Sequence, residues 1–411
     1  MKLLQLNFSD IVGGAARAAY RIHHCLRETG VDSRMWVDQS RAGDWTVEGP
    51  RNKLEKAMGL LRPQVVKPLV NTLKTANPVL HSPAILPSSW VKRINASDAD
   101  IVHLHWVQGE MLSIAEIGRI QKPTVWTLHD MWAFCGSEHY TTDTRWQDGY
   151  HRHNRPAYES GFDLNRWTWQ RKRRHWQRPF HIVSPSQWLA NCVRQSALME
   201  NWPVQVIPNP IDAEAWRPIE ASLARQILQL SPEVPLLLFG AMGGGRDLRK
   251  GFDLLQAALG HLRSTIPLEL VVFGQREPEH PSDLGFPIHY VGHLHDDLSL
   301  RLLYSAVDVM VIPSRQDNLP NTGLETQVCG TPVVAFNIGG LPDIVDHQRT
   351  GYLAPAFDTQ ELAHGIQWVL AQRETGSLGK QARARAVERF SYPVVAAQYQ
   401  AAYQQAIEHL G

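Results

Sequence analysis

Cysteine is scarce: the 411 residues hold four, Cys25, Cys135, Cys192 and Cys329, widely scattered and without a CxxC pair. That spacing excludes a disulfide framework and a cysteine-based zinc site, and it fits a reducing compartment. No window approaches the roughly 18 apolar residues of a membrane span. The opening MKLLQLNFSD breaks its apolar run with Gln5, Asn7 and Asp10, which does not suit a secretory signal. Charge excess is missing as well, with 41 basic against 40 acidic residues, so no dedicated nucleic-acid surface is expected. The glycine-rich turns contain neither the dinucleotide fingerprint GxGxxG nor the phosphate loop GxxxxGK[ST]. The only DxD, Asp98-Ala99-Asp100, precedes a strand and lies at the wrong end of a sheet for a ligand. No metal is therefore expected. These absences leave a soluble, cytoplasmic protein that rests on the inner face of a membrane at most.

What is present is a long alternation of short apolar runs and amphipathic segments. KLLQLNF, SRMWV, DIVHLHW, TVWTLHD, HIVSPS and VQVIPN read as strands in the first half. PLLLFGAM, LELVVFG, IHYVGHL, DVMVIPS and PVVAF read as strands in the second. Such runs lack polar alternation, which suits strands buried on both faces of parallel sheets. Repeated strand–helix–strand order implies an α/β fold with right-handed crossovers. The pattern restarts after the Pro-rich stretch around 208–220, giving domains over 1–210 and 211–390. Two doubly wound halves would take ligands beyond the carboxyl ends of their strands. Three segments break the alternation. Residues 52–75 are apolar and basic at helical spacing, broken by Pro63 and Pro68. Residues 131–165 read as a long loop rich in Trp, Tyr, His, Asp and Gly. Residues 166–180 carry six Arg or Lys among three tryptophans. That last run suits either an anionic lipid or pyrophosphate contact, or a solvated helix whose tryptophans pack inward.

Polar groups gather at the strand exits. After DVMVIP, the loop SRQDNLPNTGLE places Asp317 and Glu325 eight residues apart around a helix start. A helix opening there points backbone N–H groups at an anion. Thr322-x-x-Glu325 is equally a capping box that needs no ligand. GAMGGGRDLRKGF follows the first strand of the second half. Its glycines and the cations Arg246, Arg249 and Lys250 suit a diphosphate, since cations at a helix start oppose the helix dipole and lack a structural excuse. Gly13 and Gly14 open a helix after the first strand, as a phosphate approach or simply a tight turn. His129 stands at the exit of a probable central strand, where ligand groups collect. His103 and His105 share one face of their strand, and packing explains them better than a metal.

Together, GGAARAA, DIVHLHW, TVWTLHDMWAF, IVSPSQWLA with VIPNPID, RKGFDLL and DNLPNTGLETQVCGTPVVAFNIGGLPDIV resemble the retaining glycosyltransferases of family four along nearly the whole chain. The flavour is that of the exopolysaccharide, colanic-acid-like and O-antigen branch. The resemblance implies the GT-B fold, with two Rossmann-like domains facing a crevice and a final helix, 391–411, returning to the first domain. It implies transfer from a nucleotide-diphosphate sugar to a saccharide or lipid-linked saccharide, with no cofactor beyond that co-substrate. Peripheral membrane contact through 166–180 would accompany such an acceptor. By resemblance Asp317 meets the donor sugar hydroxyls, in place of the family's Glu, and Glu325 the nucleotide ribose. Lys250 falls on the diphosphate lysine, with Arg246 or Arg249 standing in for the accompanying arginine. Asn318, Leu319, Asn321 and Thr322 would cradle sugar and diphosphate through their backbone. His129 would face the donor sugar, and Gly13-Gly14 the donor phosphates. Rival readings are an inactive scaffold, a sugar-nucleotide epimerase or a phosphorylase on the same fold. An NAD-dependent oxidoreductase is disfavoured by the missing GxGxxG.

Overall fold

The computed structural model describes residues 1–240, 247–262, 266–279 and 283–408. The chain forms two compact units, one of Met1–Pro210 with the chain from Val395 onward, the other of Ile211–Val394. The boundary falls inside the Pro-rich stretch, where the Ile211 N–H already donates to the Phe390 carbonyl (2.8 Å) within the second unit.

The first unit is built on a seven-stranded parallel sheet. Its order is Val47–Glu48, Asp32–Gln39, Lys2–Ser9, Ile101–Leu104, Thr124–Thr127, His181–Ser184 and Val204–Val206. Ile101–Leu104, Thr124–Thr127 and His181–Ser184 are buried at every residue, as strands covered on both faces are, which explains their unbroken apolar reading. Helix Gly14–Glu28 buries Ala16, Ala19, Ile22 and Leu26 at intervals of three and four. The last helix, Tyr392–Glu408, buries Val395, Tyr399, Ala402, Tyr403 and Ala406 on one face. It docks through hydroxyls too. Tyr403 Oη lies 2.8 Å from His103 Nδ1, and Tyr399 Oη 3.1 Å from Thr127 Oγ1.

The second unit has a six-stranded parallel sheet in the order Ile288–Gly292, Glu269–Phe273, Leu236–Gly240, Val309–Ile312, Val333–Phe336 and Gly351–Ala354. Successive residues feed opposite cores: Leu236, Leu238 and Met310 enter one, Leu237, Phe239 and Val311 the other.

Two expectations need correction. Pro63 and Pro68 do not break the 52–75 segment, because one helix runs Lys53–Val70 through both. A Pro inside a helix costs about 3 kcal/mol. Here Asn52 caps the start, accepting from Glu55 N–H (2.9 Å), and Arg62 pins the middle to the carbonyls of Leu86, Pro87 and Glu110. The 131–165 segment is not a loop lying over the domain. Met131 to His139 are buried, and Ser160–Gly161 pairs antiparallel with Leu73–Lys74.

Candidate functional site

The strand order of the second unit reverses between Leu236–Gly240 and Val309–Ile312, and both loops that follow these strands start at that switch point. The first of them reaches a short 3₁₀ turn, Leu248–Lys250, whose start is capped by Asp247 Oδ1 on Arg249 N–H (3.0 Å). Gly251 closes it with φ +69°, and a Cβ there would sit 1.9 Å from the Pro313 carbonyl oxygen. Only glycine lets this turn lie so close against the exit of the neighbouring strand. Arg315 fastens the two together. Its N–H donates to the Arg249 carbonyl (2.7 Å), and its guanidinium donates to the Leu248 carbonyl (2.9 Å) and to Asp253 Oδ1 (2.7 Å).

The outcome is a charge cluster. Lys250 Nζ stands 2.6 Å from Asp317 Oδ2, Arg249 Nη1 stands 3.8 Å from Asp317 Oδ1, and the same guanidinium donates to the Gln316 carbonyl (2.9 Å). Burial alone would push the Asp317 carboxyl up, but Lys250 and Arg249 outweigh it and hold it below the usual carboxylate range. Ser314 Oγ donates to the same oxygen (3.3 Å), and Gly340 N–H donates to the Asp317 carbonyl (3.1 Å). At Gly339, with φ +54°, a Cβ would approach that carbonyl to 2.3 Å. The sequence reading assigned no role to Ser314 or the Gly339-Gly340 pair. The adjacent glycines in FNIGGLPDIV were the available signal.

Helix Asn321–Val328 begins at Pro320, and no side chain caps it. The capping-box alternative fails, because Thr322 lies inside the first turn and Glu325 turns into the interior, accepting from the Tyr304 hydroxyl (2.8 Å). The residue at the N-cap, Pro320, has no side-chain oxygen to offer the first turn, and a helix start of this kind suits an anion. Asn318 and Leu319 are buried, Leu319 in the apolar core, so Leu319 can offer a ligand only its backbone. Asn321 and Thr322 are half-buried at the helix start. Thus Arg249, Lys250 and Asp317 are brought together, and Glu325 accepts from the Tyr304 hydroxyl. Arg246 lies outside the described residues.

In the first unit the order reverses between Lys2–Ser9 and Ile101–Leu104. Gly13, at φ 95°, begins helix Gly14–Glu28 there, again with no side-chain cap. Asp10 organises the approach by accepting from Ile11, Arg41 and Ala42 N–H (2.8, 2.6 and 2.7 Å). His129 follows Thr124–Thr127, its Nε2 3.3 Å from His105 Nδ1, while His105 Nε2 lies 2.8 Å from Gln5 Oε1. Burial, only partly offset by the Asp130 carboxylate, pushes the His129 imidazole down to about 4, so it is neutral at pH 7. Asp130 beside it accepts from Trp106 Nε1 (3.0 Å) and Trp132 N–H (2.9 Å) and pairs with His139 Nδ1 (2.6 Å), which shapes the loop that carries His129. His103 bonds to Thr127 Oγ1 (2.7 Å) and Tyr403, the packing role expected of it. Among the described residues no group of three or more His, Cys, Asp or Glu is arranged to hold a metal ion.

The basic run forms helix Leu164–His175. Trp169 and Trp176 are buried, and Lys172 is fully enclosed, donating to the carbonyls of Trp132, Cys135 (3.0 Å) and Gly136 (2.7 Å). Arg171 donates to the carbonyls of Pro83 and Ala84. Arg173, Arg174 and Arg178 are the cations of this run that face solvent.

Comparison with known proteins gives this geometry a context. Residues 12–215 match the model described as Glycosyltransferase Family 4, and residues 236–372 match Glycosyl transferases group 1. The MMP alpha-(1->4)-mannosyltransferase of Mycolicibacterium hassiacum is 33% identical over 215 residues, 50% of this chain and 49% of its own. The D-inositol 3-phosphate glycosyltransferase of Saccharomonospora viridis is 29% identical over 209 residues, 46% of this chain and 47% of its own. The match thus spans about half the length of these curated relatives. Anabaena HepE, solved with UDP-glucose, superimposes with a TM-score of 0.67 at 18% identity, covering 98% of this chain and all of that one. Sucrose-phosphate synthase from Thermosynechococcus elongatus gives 0.66 at 18% identity over the full length of both. At such identity the structures speak for the fold. With two glycosyltransferase models in succession along its two parallel α/β units, the chain belongs to glycosyltransferase family 4 and has the GT-B fold.

Proposed function

We propose that this protein transfers a sugar from a nucleotide-diphosphate donor to a hydroxyl of a saccharide or lipid-linked saccharide, with retention of anomeric configuration. The observation that carries this reading is the Arg249–Lys250–Asp317 cluster at a switch point, beside a helix start with no side-chain cap. In this reading Lys250 and Arg249 stabilise the charge that grows on the leaving diphosphate, and the backbone of 318–323 cradles it. Asp317, kept ionised, accepts from donor sugar hydroxyls, and Glu325, oriented by Tyr304, accepts from the ribose. In the first unit, neutral His129 can offer a hydrogen bond without adding charge, and Gly13-Gly14 leave room for a close backbone approach. The acceptor hydroxyl attacks from the leaving group's own face, and a phosphate oxygen of the departing diphosphate takes its proton. No metal is required, because cations and backbone dipoles supply the stabilisation. Anabaena HepE was solved with UDP-glucose, which favours a uridine nucleotide as the first donor to try.

The closed Asp317–Lys250 pair favours one second reading, an inactive scaffold whose cation is already neutralised. A thermal-shift panel of UDP-, GDP- and ADP-sugars, with NAD and NADP as controls, separates these readings when followed by turnover assays. Ligand at 100 times its dissociation constant adds about 2.7 kcal/mol, a shift of several degrees. A shift with one nucleotide class, lost in Lys250→Ala, supports the donor site. A shift with neither donor hydrolysis nor transfer supports the scaffold. A shift with NAD alone overturns both.

A further inference from the structure

In the first unit, helix Lys53–Val70, strand Asp32–Gln39 and helix Trp90–Ala96 bound a cavity of about 230 Å³. Asp38 lines it and is 8% exposed, yet its Oδ2 has no hydrogen-bond partner among the described residues. The carboxyl fits under the helix because Gly59 has no side chain: a Cβ there would sit 2.3 Å from Oδ2. Burial pushes this carboxyl up to about 6, with Arg62 opposing. Arg93 lines the same cavity. Its guanidinium sits over the rings of Trp90 (4.6 Å) and Trp36 (4.9 Å), and its Nε, like Trp36 Nε1, lacks a partner among the described residues. Arg62 shows what a purely structural arginine does here, since it donates to the carbonyls of Leu86, Pro87 and Glu110. Leaving a buried donor or acceptor unmet is costly, and packing alone gives no reason for three such atoms to gather in one place.

The unmet groups define what would answer them. Asp38 calls for a donor and Arg93 for an acceptor. The lining holds two acids, Asp38 and Glu55, against two arginines, Arg62 and Arg93, so its charges cancel and favour neither a cation nor an anion. A hydroxyl both donates and accepts, so the hydroxyls of one sugar ring satisfy a carboxylate and a guanidinium together. The rim is apolar: Pro50, Leu54 and Met58 stand there, with Leu54 72% and Met58 47% exposed, a surface that suits the C–H face of such a ring. The volume falls below the roughly 300–1,000 Å³ of sites for drug-sized ligands, so it suits one small unit.

We infer that this cavity binds a sugar unit of a neutral saccharide, with Asp38 accepting from its hydroxyls and Arg93 donating to them. The site shares no residue with the Arg249–Lys250–Asp317 cluster of the second unit. It also stands apart from the transferase reading, because its readout is saccharide binding without a nucleotide.

The test is saturation-transfer NMR on the full-length protein, without nucleotide. The probes are the methyl glycosides of glucose, galactose, mannose and N-acetylglucosamine, with glucuronate and glucosamine as charged counterparts. At least one neutral glycoside is expected to bind, and more tightly than either charged sugar. Asp38→Asn keeps the shape and should weaken that binding about tenfold or more, while the thermal midpoint of the free protein is kept or raised. Ser89 lies exposed on the rim and its side chain caps nothing, so Ser89→Leu should block the cavity without disturbing the fold. Lys250→Ala, in the other unit, should leave binding within about twofold. The donor-induced thermal shift should be the same in Asp38→Asn as in the parent, so the two readings fail separately. Silence from every neutral glycoside overturns the inference and leaves the cavity to ordered water. A preference for glucuronate or glucosamine overturns it too, as does binding that survives both Asp38→Asn and Ser89→Leu or that only Lys250→Ala removes.

Discussion

Asp317 remains an anion inside the protein only because two cations stand against it, so the three side chains act as a unit. Lys250→Ala should lower kcat by about 10²-fold or more, the usual cost of removing a group that stabilises developing charge. A kcat within a few-fold of the parent in steady-state assays would remove Lys250 from the leaving-group role. Asp38 shows the opposite balance. It is buried, its Oδ2 has no hydrogen-bond partner among the described residues, and burial pushes the carboxyl up to about 6. A carboxyl raised in the folded state contributes stability that is complete below its unfolded value near 3.8 and is lost as pH rises through about 6. Asp38→Asn should therefore stabilise the protein near pH 8 by about 2 kcal/mol, and the gain should vanish at about pH 4. Denaturant unfolding at the two pH values checks both sign and window. At this scale the sequence showed which residues carry charge at the strand exits. It could not show that Glu325 turns to Tyr304, or that Asp38 Oδ2 lacks a hydrogen-bond partner among the described residues, because those depend on side chains distant in the chain.

Elements here owe their positions to single residues that tolerate no substitute. Gly251 bends the Leu248–Lys250 turn onto the Pro313 carbonyl, so Gly251→Ala must push that turn away and carry Lys250 off Asp317. It should weaken the donor-induced thermal shift at least as much as it lowers the protein's own midpoint. A midpoint loss with an intact shift would separate the turn from the site. Helix Leu164–His175 is held by Lys172, which is enclosed and satisfied by three carbonyls. Lys172→Met removes those donors and should cost about 3 kcal/mol in equilibrium unfolding. Most strands were legible as apolar runs, since burial on both faces leaves no alternation to confuse. Gly351–Ala354 was not, because GYLA is short and lacks β-branched residues. The helix through Pro63 was misread for a related reason: local propensity argued for a break, and anchoring by Asn52 and Arg62 overrode it.

In the whole molecule, the last helix completes a unit that began some four hundred residues earlier in the chain. Tyr399 and Tyr403 are fully buried against Thr127 and His103 on two strands of the first sheet. Ending the chain before Val395 should strip these partners and loosen the first unit selectively. Hydrogen exchange should rise in the strands Ile101–Leu104 and Thr124–Thr127 while Val309–Ile312 stays protected. Equal protection in all three strands would show the helix to be dispensable. The sequence by itself determined the α/β class, the restart of the pattern near residue 210, and which strand exits carry polar and charged residues. Each of these is written in local periodicity and composition, which a chain reveals without folding. The tertiary structure alone decided that Lys250 meets Asp317 across two loops, that Lys172 is enclosed while Leu61 is exposed, and that Glu325 accepts from Tyr304. Those outcomes depend on distances between residues far apart in sequence, and packing, not pattern, sets such distances.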